Sequence, residues 1–87
     1  MILKLKTDNG GKWTFYDNLA RVTYKLVQYS EVKDCEVSRF VGDMPQDNNI
    51  VVLWISAMDS NNDEKSFIIT SIAYLMNDDG KTIERLY

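Results

Sequence analysis

Along most of this chain, apolar and polar residues alternate with period two, as they do in strands with one covered face. Leu3 and Leu5 alternate with Lys4 and Lys6, and Asp8-Asn9-Gly10-Gly11 follows as a turn whose Asn-Gly pair tolerates positive φ. Trp13 and Phe15 then alternate with Thr14 and Tyr16. After Asp17-Asn18, Val22, Tyr24 and Leu26 alternate with Arg21, Thr23 and Lys25. The pattern reads as a three-stranded antiparallel meander. It sends Trp13, Phe15, Val22 and Tyr24 inward and Thr14, Tyr16, Arg21, Thr23 and Lys25 outward. A helix capped by Asn18 is the rival for the third element, because Leu19, Val22, Leu26 and Val27 fall near helical spacing. The Val, Thr and Tyr content favours the strand.

Residues 30–41 (SEVKDCEVSRFV) keep neither period. Ser30 could cap a short helix ending at Gly42, or Val37 to Val41 could form an edge strand. Residues 42–49 (GDMPQDNN) read as a loop, since Pro45 disfavours helix before it and Asp and Asn favour local turns. Residues 49–57 (NIVVLWISA) form a continuous apolar run, as expected of a strand covered on both faces. Residues 59–64 (DSNNDE) make the next loop.

The run 66–76 (SFIITSIAYLM) is apolar on both sides, with Phe67, Ile69, Ala73 and Leu75 on one and Ile68, Ile72, Tyr74 and Met76 on the other. A turn at 77–80 (NDDG) and a last strand at 81–87 (KTIERLY) complete the chain. The run outlasts its hairpin partner, so one end of it should pack elsewhere. The expected fold is a single compact domain over residues 1–87, mainly β with room for one short helix. It is a small antiparallel sandwich or barrel, built from the N-terminal meander and a C-terminal three-stranded antiparallel unit.

Composition narrows the chemistry. A chain of 87 residues buries only about 60–68% of the surface its unfolded form exposes, so added stabilisation matters. The single cysteine, Cys35, excludes an internal disulfide, and its free thiol suits a reducing cytoplasm. Self-association is the remaining supplement. It would also cover the second face of the two doubly apolar runs, so a homo-oligomer is expected. The N-terminus does not read as a signal peptide, and no apolar run approaches the ~20 residues of a membrane span.

Histidine is absent, which removes Ser-His-Asp and Cys-His catalysis and imidazole metal ligands. Asp34 and Glu36 flank Cys35 and disfavour its thiolate. Asp59-x-Asn61-x-Asp63 begins like a calcium loop, but Glu64 replaces the turn glycine and Thr70 stands in place of the bidentate glutamate. No phosphate-binding glycine loop is present. The expectation is a protein without catalytic residues, metal or cofactor.

Binding chemistry remains. Residues 1–40 carry seven Lys or Arg against five acidic residues, and residues 41–87 carry three against eight, giving +2 and −5 and the net charge of −3. One candidate surface is the polar face of the meander: Lys4, Lys6, Tyr16, Arg21 and Lys25. The alternative is an acidic rim of Asp43, Asp47, Asp59, Asp63 and Glu64, suited to a basic protein surface. The compact, Asn- and Asp-rich style of the chain resembles short accessory proteins of bacteriophages and mobile elements. The leading expectation is therefore an interaction protein that binds, and inhibits, a host protein. A ligand-binding oligomer that stacks a small molecule on Trp13, Tyr16, Tyr24 or Trp54 is the second. A nucleic-acid-binding β domain using the lysine-bearing face is the third, weakened by the negative net charge.

Overall fold

A computed structural model of the chain describes residues 1–6, 12–35, 38–42 and 44–86. The predicted turn at 8–11, Asp43 and the end of the last strand at Tyr87 lie outside these residues. In chain order the described elements are β1 (Ile2–Lys6), β2 (Trp13–Tyr16), β3 (Leu19–Gln28), α1 (Tyr29–Val32), β4 (Ser38–Val41), β5 (Val51–Asp59), β6 (Glu64–Ile69), β7 (Ala73–Met76) and β8 (Thr82–Arg85). The strands form two four-stranded sheets. One, ordered β2-β1-β7-β8, comes from the two ends of the chain and is called here the terminal sheet. The other, ordered β3-β5-β6-β4, comes from residues between 19 and 69 and is the central sheet.

The molecule is a mainly β sandwich, antiparallel except where β4 runs parallel to β6, and it does not close into a barrel. In place of a helix capped by Ser30 and ending at Gly42 there is one helical turn from Tyr29, with Gln28 at its N-cap and its end at Val32, and the edge strand is present as well, from Ser38 to Val41. Leu19–Gln28 is a strand, as its branched and aromatic content favours.

How the strands group differs from the expected meander and C-terminal unit. β1 and β2 do pair, but β3 leaves them and pairs along its whole length with β5. The link explains this. Of the two residues between β2 and β3, only Asn18 has positive φ, whereas a two-residue type I′ hairpin needs it at both positions. Leu19 keeps one tie to β1, exchanging backbone hydrogen bonds of 3.0 and 3.1 Å with Met1. Beyond that, Val22, Tyr24 and Leu26 lie opposite Ala57, Ile55 and Leu53, so the apolar row of β3 extends that of β5.

The run 66–76 is likewise cut into β6 and β7, in different sheets, with a corner at residues 70–72. Thr70 N–H donates to the Val41 carbonyl at 2.9 Å, and Lys6 N–H donates to the Ile72 carbonyl at 3.0 Å. Gly42 (φ 107°) lies so close to the corner that a Cβ there would stand 2.9 Å from Ser71 N and closer still to Thr70 Oγ1.

Between the sheets lies a core of Leu3, Leu5, Leu53, Ile55, Phe67, Ile69 and Ala73, all 0–1% exposed. Each large apolar side chain so removed from water contributes about 1.5–3 kcal/mol. The phase read in 66–76 holds through the corner, since Phe67, Ile69, Ala73 and Leu75 all pack into this core. A second cluster (Val27, Tyr29, Val52, Ile68) lies on the opposite face of the central sheet. There the helical turn and Phe40 cover the strands, with the Tyr29 and Phe40 rings edge to face at 6.1 Å. The chain itself thus covers part of the second apolar face for which the sequence implied another layer.

Candidate functional site

The outward face of the terminal sheet has no such cover among the described residues. Leu3 and Leu5 point into the core, so strand alternation turns Lys4 and Lys6 outward. Register carries the same face across the sheet. Phe15 and Tyr74 lie opposite Lys4 on either side, Trp13 lies opposite Lys6, and Arg85 lies opposite Tyr74. The Lys4 ammonium stands 4.4 Å from the Trp13 ring centroid and 5.8 Å from those of Phe15 and Tyr74. The Trp13 and Tyr74 rings are 5.9 Å apart. Phe15 nevertheless remains 56% exposed and Trp13 36% exposed. Lys4, Lys6 and Arg85 share this face, and no described carboxylate sits at its strand positions. The result is an apolar and cationic surface in a protein of net charge −3.

This corrects the phase expected for β2. Tyr16, taken to face outward, packs inside with its ring 5.0 Å from that of Phe67, and the Lys65 ammonium lies 5.3 Å from the same ring. Trp13 and Phe15, taken as core, face outward. The hairpin register decides the matter, because setting Trp13 opposite Lys6 obliges the two to share a face.

The expected cationic surface is not one surface. Lys4 and Lys6 are on the terminal sheet, whereas Arg21 and Lys25 are on the outward face of the central sheet, opposite Met58 and Trp54. Lys25 lies 5.2 Å above the Trp54 ring. The four expected stacking residues are equally dispersed: Trp13 and Trp54 on opposite outer faces, Tyr16 inside, and Tyr24 at the β3 edge. The Tyr24 hydroxyl donates to Glu84 Oε1 at 2.6 Å, which raises the phenol above its ordinary pKa, with smaller contributions from desolvation and the nearby negative charge.

The expected acidic rim separates as well. Asp47 precedes β5 and accepts a hydrogen bond from Asn49 N at 2.8 Å, while Asp59 is the last residue of β5 and Asp63 lies in the loop after it. A nine-residue strand spans about 27 Å, so these groups do not converge. Asp59 Oδ1 accepts from Asn61 N and Asp63 N at 2.9 and 3.0 Å, which closes the hairpin loop on itself. Glu64 accepts from Ser56 Oγ at 2.6 Å. The sequence reading missed Asp17, which joins Asp59, Asp63 and Lys65 around a cavity of about 230 Å³ at that end of the sandwich. Among the described residues, no group of three or more His, Cys, Asp or Glu side chains is arranged to hold a metal ion. No described helix is long and apolar enough to cross a membrane.

Comparison with protein-family models, with curated proteins and with solved structures finds no match for the chain.

Proposed function

We propose that the chain is a non-catalytic binding protein that recognises a protein partner through the outward face of its terminal sheet. The observation that carries this reading is Lys4 set among Trp13, Phe15 and Tyr74, beside Lys6 and Arg85, on a sheet face without cover. Aromatic and arginine side chains concentrate binding energy at protein interfaces, where they can be desolvated without large entropy loss. Lys4 and Lys6 beside the exposed rings favour a partner that presents acidic groups around an apolar patch. The same geometry weighs against nucleic acid, because Lys4 occupies the ring faces that bases would stack on, and Arg21 and Lys25 lie on the far face. A host protein bound and blocked in the cytoplasm by a bacteriophage-type accessory protein is the setting that suits this reading.

The test is capture from host lysate with three versions of the chain. Wild type and Arg21→Glu should retain one and the same partner, and Trp13→Ala with Phe15→Ala should lose it while still melting cooperatively. Capture that survives the aromatic substitutions, or that fails with Arg21→Glu, would place recognition elsewhere.

A further inference from the structure

β3 is an end strand of the central sheet and, at ten residues, the longest of the described strands. Its inward row is incompletely covered. Leu26 is 63% and Tyr24 41% exposed, although their β5 partners Leu53 and Ile55 are at most 1% exposed. The terminal-sheet strands are four or five residues long against the ten of β3, and the bond from the Tyr24 hydroxyl to Glu84 of β8 leaves Tyr24 and Leu26 exposed. Beyond the ties of Leu19 to Met1, no described strand pairs with the outer edge of β3. Along Arg21 to Gln28 there is no proline and no bulge, and of the two charged guards, Arg21 and Lys25, Lys25 lies over Trp54 within its own sheet.

We propose that this edge takes a second copy of the chain, β3 antiparallel to β3 about a two-fold axis through Tyr24, joining two central sheets into one. The register follows from parity and charge. A two-fold axis normal to the sheet keeps the inward faces together, so facing residues share parity and the axis passes through a residue. The irregularity between Leu19 and Arg21 and the helical turn at Tyr29 leave residues 21–28 as regular strand. An axis at Tyr24 overlaps residues 21–27, one at Lys25 overlaps residues 22–28, and any other axis overlaps fewer.

The axis at Lys25 sets two ammonium groups directly opposite each other, which destabilises a pair of strands. The axis at Tyr24 sets Lys25 against Thr23, Arg21 against Val27, and Leu26 against Val22. Exposed Leu26 then gains an apolar neighbour, and no like charges meet. Each Tyr24 hydroxyl is already bonded to Glu84 of its own chain and brings no unpaired donor to the axis. The row of β3 is therefore complementary to itself, which selects a second copy over a strand from another protein.

The experiment is sedimentation velocity on the full chain from low to high micromolar concentration, combined with cysteine trapping in a Cys35→Ser background. Wild type should form a dimer. Leu26→Lys changes a side chain already facing water and should give a folded monomer. Under mild oxidation Tyr24→Cys should cross-link to a dimer, because facing residues of antiparallel strands have Cα atoms about 4.5–5.5 Å apart, within reach of a disulfide. Lys25→Cys should not. Cross-linking at Lys25→Cys in preference to Tyr24→Cys, or a dimer unaffected by Leu26→Lys, would overturn the proposal. Wild type that stays monomeric throughout would overturn it too, and would leave the edge to a foreign strand.

Discussion

The two outward faces of the sandwich treat apolar side chains in opposite ways. On the central sheet, Val52 and Ile68 are 0% and 3% exposed because the turn at Tyr29 and the Phe40 ring close over them. On the terminal sheet, Trp13, Phe15 and Tyr74 are met by the Lys4 side chain, and Trp13 and Phe15 stay exposed. A lysine stem shields apolar surface while its charged end stays near water, so such cover is thin and reversible. The first face is an internal layer of the protein. The second is an exposed surface, the one proposed above to meet a partner.

Substitution separates the two faces most sharply on the covered side. Ile68→Ala should cost about 2–5 kcal/mol, because the site cannot collapse fully beneath Tyr29 and Phe40. Urea denaturation measures it, and a loss within a few tenths of a kcal/mol would show that the cover is loose. On the open face, Trp13→Ala should cost about 1 kcal/mol, mostly through the lost contact with Lys4. The same change should abolish partner capture. A stability loss as large as that of Ile68→Ala would make the aromatic face structural.

The smallest effect concerns Tyr24, at the border between the sheets. Its folded-state pKa is raised, so the neutral phenol is favoured by folding. That contribution is fully present below the unfolded value of about 10 and is lost as pH rises through the folded value. The stability difference between wild type and Tyr24→Phe should therefore narrow only in alkaline solution. Titration of phenolate absorbance in Glu84→Gln should show one tyrosine ionising earlier than in wild type, and no change would mean the hydroxyl bond does not persist.

Strand existence and strand phase were legible where one face dominates. Leu3 and Leu5, the run from Val51, and the alternation from Phe67 to Leu75 all read correctly. Corners were not legible, because period two passes through residues 70–72 without a break. What makes that corner is the distant approach of Gly42 and a bond from Thr70 to the Val41 carbonyl. Sheet membership of β3 was hidden for a related reason, as it depends on the free side of β5 and on one residue of positive φ at Asn18. Of the open face, Lys4 and Lys6 could be read directly. Trp13 and Phe15 could not, since large apolar rings are assigned inward by default and only the hairpin register contradicts it. Tyr74 and Arg85 join the face through pairing across some seventy residues of sequence, which no local pattern records.

The division of the chain between the sheets has a consequence for synthesis on the ribosome. The central sheet is complete once residue 69 has been made, whereas β1 must wait for β7, whose first residue is Ala73. Among the described strands, β1 has no partner beyond β2 until β7 has been made, some seventy residues later. Non-local pairing of this kind slows folding and prolongs the exposure of apolar strands. The nascent chain thus holds a central sheet beside a β1–β2 hairpin open on one edge, and in that interval Leu3 and Leu5 are open to chaperones or to neighbouring chains.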